Sequence, residues 1–182
     1  MHKKFLAALA VVLIAQIAVP VSMIVGRENV ILNGTAFRFA TQPIDPTDYL
    51  RGKYVQLYMP QEPLPVTDTL NLEDGLYGYL SVTREGLARI DSLTATRPES
   101  GEYINVDFSY RRGNLVHYTL PFDRFYMEES KAPAAEALYL RLPDSVKAYA
   151  RVKVLKGEAV IEDVIVGGRP IGELAREHIG KN

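Results

Sequence analysis

The stretch YINVDFSYRRGNLVHYTL, Tyr103 to Leu120, decides the fold. Apolar residues alternate with polar ones on both sides of Arg111-Arg112-Gly113-Asn114. A period of two marks a half-buried strand. A glycine in a short polar break supplies the positive φ that a tight hairpin turn needs. Two antiparallel strands, Tyr103–Tyr110 and Leu115–Leu120, are therefore predicted. The same period extends outward to Tyr54–Tyr58, Leu76–Val82 and Leu87–Leu93, then to Leu138–Leu142, Val146–Val154 and Ala159–Val166. Lys156-Gly157 reads as a second hairpin turn. Short helices are expected near 128–137, where Pro133 limits the run, and at 171–179 after Pro170. The predicted fold is mostly β, an antiparallel sandwich or barrel-like domain of roughly ten strands.

The two halves of this β region carry similar landmarks. Thr41-Gln42-Pro43-Ile44-Asp45 is echoed by Thr119-Leu120-Pro121-Phe122-Asp123. The run from Gly86 to Leu93 is echoed by Gly157 to Val164, and each then reaches an Arg-Pro, at Arg97-Pro98 and Arg169-Pro170. The order suggests an internal duplication, with repeats over 37–98 and 115–170.

Ahead of the β region, residues 5–25 read FLAALAVVLIAQIAVPVSMIV without a charge. About 20 apolar residues suffice to cross a bilayer. A cleaved signal peptide would want a shorter core and a small-residue cleavage site, which Ala15-Gln16-Ile17-Ala18 and Ile24-Val25-Gly26 fit poorly. An uncleaved anchor is the stronger reading. Lys3 and Lys4 precede the run, so residues 1–4 are expected to be a cytoplasmic tail. Residues 27–182 then form an extracytoplasmic domain held at the inner membrane by a single pass. Basic and acidic residues number 21 and 22. Setting aside Lys3 and Lys4 leaves 19 against 22, a net charge of about −3 that offers no basic face to a nucleic acid. The absence of cysteine removes disulfides, thiolate chemistry and a lipidated cysteine anchor.

Arg51-Gly52-Lys53-Tyr54-Val55-Gln56-Leu57-Tyr58 resembles the signature of the GDYXXLXY family, bacterial membrane-anchored proteins of unknown function. Gly52, Tyr54, Leu57 and Tyr58 stand in register, and Lys53 replaces the family's Asp. The lead-in with Asp45, Asp48 and Arg51 is similar too, as is the later segment from Phe125 to Glu128 with Glu136 beyond it. The resemblance implies one N-terminal span, a β-rich domain and a periplasmic location. It also implies a multi-pass membrane protein as partner, since members are often encoded beside one. The Lys53 charge reversal argues against a role that needs an acid at the signature.

The residues themselves assign no catalytic group, no metal ligand and no cofactor. Asp45, Asp48, Glu128 and Glu136 could offer oxygens to Ca²⁺, but without a recognised spacing. Caps and loop bracing are the more ordinary use of such acids. Ser22-Met23, and an Arg-Gly-x-Tyr-Val run after a proline-rich loop, are similar to features of type I signal peptidases. Those need a lysine base within reach of the serine, and Ser22 lies in the span. An acid-pair hydrolase lacks any distinguishing spacing. The leading expectation is a membrane-anchored binding or assembly module. The Ser/Lys or acid-pair hydrolase and the divalent-cation domain are the alternatives. In the signature, Arg51 is expected to be braced by Glu128 or Glu136, and Tyr54 and Tyr58 to share one face of a strand whose other face carries Val55 and Leu57.

Overall fold

The computed structural model describes residues 2–42, 54–66, 75–143 and 145–180. It opens with α1, His2–Asn33, which continues beyond the uncharged run. Pro20 lies inside the helix without ending it. A proline costs one backbone hydrogen bond, which a membrane helix can absorb. The helix stops where Gly34 N–H donates to Val30 O at 2.8 Å. From Leu9 to Asn33 the helix is long and apolar enough to cross a membrane, and the most apolar stretch is wholly unburied.

The β region follows at once: β1 (Thr35–Ala40), β2 (Tyr54–Gln56), β3 (Leu64–Pro65), β4 (Leu76–Val82), β5 (Ala88–Thr94), β6 (Tyr103–Arg112), β7 (Leu115–Thr119) and β8 (Arg124–Tyr126). Helix α2 (Ala132–Leu140) then precedes β9 (Ala148–Leu155), β10 (Glu158–Val166), β11 (Arg169–Pro170) and α3 (Ile171–Ile179). All strand pairs in the named sheets are antiparallel, in the orders β1-β9-β10-β11, β2-β8 and β3-β7-β6-β4-β5. The sheets wrap into a nearly closed, barrel-like body. A parallel bridge between Ile104 and Gly157, with Asn105 N–H donating to Gly157 O at 2.9 Å, joins the two larger sheets.

Alternation places the core. In β9, Ala150, Val152 and Val154 are buried while their neighbours are partly wet. In β1 the buried pair is Phe37 and Phe39, and Phe39 meets Phe122 edge to face at 5.5 Å. Each fully buried side chain of this size contributes about 1.5–3 kcal/mol relative to exposure.

Most strand readings hold to within a residue or two, including the turns at Gly113 and Gly157. Leu138–Leu142 is not a strand: it begins as the last turn of α2 and leaves the helix at Arg141. The helix expected over 128–137 runs instead over Ala132–Leu140. Pro133 fixes its start, because proline is tolerated in a first turn, where its missing N–H has no partner to lose. Gly86 and Gly157 both sit in hairpin turns with positive φ. The two hairpins pair alike, β4 with β5 and β9 with β10, while the strands ahead of the two landmarks take different partners: β1 pairs with β9, and β7 with β3 and β6.

Candidate functional site

The described part of the signature begins at Tyr54. Val55 and Leu57 are buried, while Tyr54 and Gln56 are half-buried and Tyr58 is exposed, as their alternation predicts. Asp45, Asp48, Arg51, Gly52 and Lys53 lie outside the described residues, and so does the expected brace from Arg51.

The signature strand β2 pairs with β8, and each of these strands follows one of the two Thr-x-Pro-Φ-Asp landmarks. Tyr54 sits opposite Tyr126, their rings 5.7 Å apart, and the Arg124 guanidinium lies 5.3 Å from the Tyr54 ring centre. Such a cation over an aromatic face is held by the ring quadrupole. A hydrogen bond to Tyr126 raises the Arg124 pKa further above its ordinary value, and Asp123 and Tyr54 add to the effect. Leu57 N–H donates to Asp123 O at 2.8 Å, which ties the strand directly to the second landmark.

Behind this seam lies a buried polar contact. Thr41 Oγ1 is 2.6 Å from the Tyr139 hydroxyl and 3.2 Å from the Tyr58 carbonyl oxygen. Tyr139 stands on α2 and is almost wholly buried, and burial pushes its pKa up to about 12. The first landmark, the signature strand and α2 are thus joined by one hydroxyl chain. No sequence pattern singles out Tyr139. Its only advance signal was an apolar run that reads as easily as a strand.

Glu128 is exposed, and its carboxylate is engaged locally by Lys131 and by Ser130, whose Oγ donates at 2.8 Å. Those hydrogen bonds, Lys131 first, hold its pKa below the usual carboxylate range. The Glu128 carbonyl also accepts from Ala132 N–H at the start of α2. Glu136 is half-buried on α2. Among the described residues no group of three or more His, Asp or Glu side chains is gathered as a metal would need. Ser22 donates to Val19 O within α1, and Lys153 Nζ donates to Gly34 O at the foot of the domain. The serine of the Ser/Lys reading is therefore tied to a backbone carbonyl of its own helix.

The family comparison covers the same segments. A family model described as "GDYXXLXY protein" matches residues 16–164. The chain belongs to the GDYXXLXY family. Its match runs from within the apolar helix to β10, so it takes in that helix from residue 16 onward, the signature and the β2–β8 seam. No curated protein and no solved structure matches the chain. In this GDYXXLXY protein the signature residues that are described serve two purposes: Val55 and Leu57 fill the core, and Tyr54 builds the aromatic seam with Tyr126 and Arg124.

Proposed function

We propose that the protein is a membrane-anchored, extracytoplasmic binding or assembly module that engages a multi-pass membrane protein. One observation carries this reading: the wet face of the β6–β7 hairpin. Register pairs Tyr110 with His117 and Arg112 with Leu115, so these four side chains share a face. Tyr110 and His117 stack at 4.1 Å, and Tyr110 is 54% exposed. A rigid, pre-stacked aromatic pair beside a cation is a low-entropy contact surface for a partner chain. The multi-pass partner is the one the family resemblance implies. Photo-crosslinking from position 115, on the same face, in native membranes is expected to trap one integral membrane protein, and Tyr110→Ala with His117→Ala to abolish that capture. Capture undiminished by that double change would remove the hairpin from the interface.

The inside position of the N-terminus follows from Lys3 and Lys4 ahead of the apolar run. An export-dependent reporter fused after Asn182 should be active at the inner membrane of a bacterial host. Activity from a cytoplasm-dependent reporter instead would reverse the orientation.

A further inference from the structure

Anchor and domain meet without a linker. Gly34 alone separates α1 from β1. Its N–H is held by Val30 O, its carbonyl accepts from Lys153 Nζ at 3.2 Å, and Thr35 Oγ1 donates to Glu102 Oε1 at 2.8 Å. A flexible linker would let the domain float, whereas this joint sets its height above the membrane. From Val25, where the uncharged run ends, to Ile31 the helix rises about 9 Å at 1.5 Å per residue. The headgroup layer on each side of a bilayer is about 5–8 Å thick. Whatever packs beside residues 25–31 therefore sits at headgroup depth.

Two corners of the domain do so. On one flank, Ile24 and Arg27 share a cleft with Arg124 and Tyr126. On the other, Gly26 and Asn29 share a cleft with Tyr77, Arg97 and Lys156. The two corners are built alike, each from a tyrosine pair with an arginine. The Tyr54–Tyr126 pair has Arg124 against it, and the Tyr77–Tyr103 pair, 5.9 Å between centres, has Arg97 Nε donating to Tyr103 Oη at 3.0 Å. Lys156 is exposed at the tip of the β9–β10 turn with a positive φ of 52°. Tyrosine rings and long cationic side chains are what the membrane interface selects. The corners hold four cations, Arg27, Arg97, Arg124 and Lys156, against three acids, Glu28, Asp123 and Glu158. That mixture suits a headgroup carrying a phosphate beside an amine.

We propose that the underside of the β domain is a phospholipid-binding foot: Tyr77 and Tyr126 sit among the headgroups on either side of α1, and Arg97, Arg124 and Lys156 take lipid phosphates. The inference rests on α1 spanning the bilayer, and its test separates the two. The chain has no tryptophan, so single-tryptophan variants report cleanly. Full-length Tyr77→Trp, Tyr126→Trp, Ile24→Trp and Val82→Trp would be reconstituted in phosphatidylethanolamine–phosphatidylglycerol vesicles. The vesicles would carry a nitroxide on the headgroup or bromine on the acyl chain. Val82 is the distant control: it pairs with Ala88 next to Leu87, which lines a groove with Tyr149 at the end of β9 opposite Lys156. The foot predicts that Tyr77→Trp and Tyr126→Trp lose most of their emission to the headgroup nitroxide, while Val82→Trp keeps its own. Quenching of Ile24→Trp by bromine with neither foot position quenched would overturn the foot and leave the span. Emission retained at all four positions would overturn the span, and the foot with it.

Discussion

Thr41 and Tyr139 show how unequal two partners in one hydrogen bond can be. Thr41 Oγ1 reaches both the Tyr139 hydroxyl and the Tyr58 carbonyl. A carbonyl can only accept, so the threonine proton goes to Tyr58, and Tyr139 donates to the threonine oxygen. Tyr139→Phe thus removes one buried bond and strands no donor, at a cost of about 1 kcal/mol. Thr41→Val leaves the Tyr139 hydroxyl buried and unpaired, which costs about 1–3 kcal/mol for that group, in addition to the bond to Tyr58. Chemical denaturation of the detergent-solubilised protein should rank Thr41→Val as the more damaging, with the double variant falling short of the sum. Equal losses would mean that the hydroxyl chain is not shared in this way. Nothing in the sequence ties residue 41 to residue 139. The bond is a product of tertiary packing, and reading such contacts from a single sequence would require knowing the fold first.

At the scale of elements, what was legible depended on whether a segment's own periodicity agreed with its surroundings. β4, β6, β7 and β10 each alternate and are punctuated by glycine turns, so their positions could be read directly. Leu138-Tyr139-Leu140-Arg141-Leu142 also alternates, yet it begins inside α2, because Pro133 starts a helix and the preceding Ala-Ala-Glu-Ala sustains it. The candidate site was legible only in part. The faces of Tyr54, Val55, Leu57 and Tyr58 follow from period two, but their seam with Tyr126 and Arg124 needed the β2–β8 pairing. The joint between α1 and β1 was equally hidden, since helix continuation past Val25 depends on docking Val30 against the domain. That joint makes a prediction with opposite signs at two glycines. A Cβ on Gly34 would lie 2.4 Å from Val30 O and 3.0 Å from Val154 O, both backbone atoms that cannot swing aside. Gly34→Ala should cost about 1–3 kcal/mol through overpacking. A Cβ on Gly26 meets nothing within 4 Å. Gly26→Ala should stabilise the helix by up to about 1 kcal/mol, because glycine is a poor helix residue. Thermal unfolding in detergent separates them, and a neutral Gly34→Ala would show that the joint is loose.

For the whole molecule, a nearly closed β body joined to a long apolar helix separates two surfaces. β6 starts at Tyr103, in the corner beside α1, and Tyr110 lies up to about 23 Å further along the strand at 3.3 Å per residue. If the proposed foot rests on a bilayer, the proposed partner would have to bring a loop or domain above the headgroups to meet the Tyr110–His117 face. Two of the phenols buried in this body stand on different elements, Tyr118 on β7 and Tyr139 on α2. Burial pushes the pKa of each from 10.0 to about 12. Below pH 10 both phenols are neutral whether the chain is folded or not, and they leave stability unchanged. Between pH 10 and 12 the unfolded chain releases their protons while the folded one keeps them, so stability falls as pH rises through this window. Near-ultraviolet absorbance should resolve a late tyrosinate step coincident with loss of the far-ultraviolet strand signal. Tyr118→Phe and Tyr139→Phe should each flatten the alkaline slope even where they lower stability at neutral pH, because each removes one releasable proton. A strand signal that persists after every tyrosine has ionised would mean that solvent reaches these phenols in the folded state, and the closed body would have to open at β7 or α2.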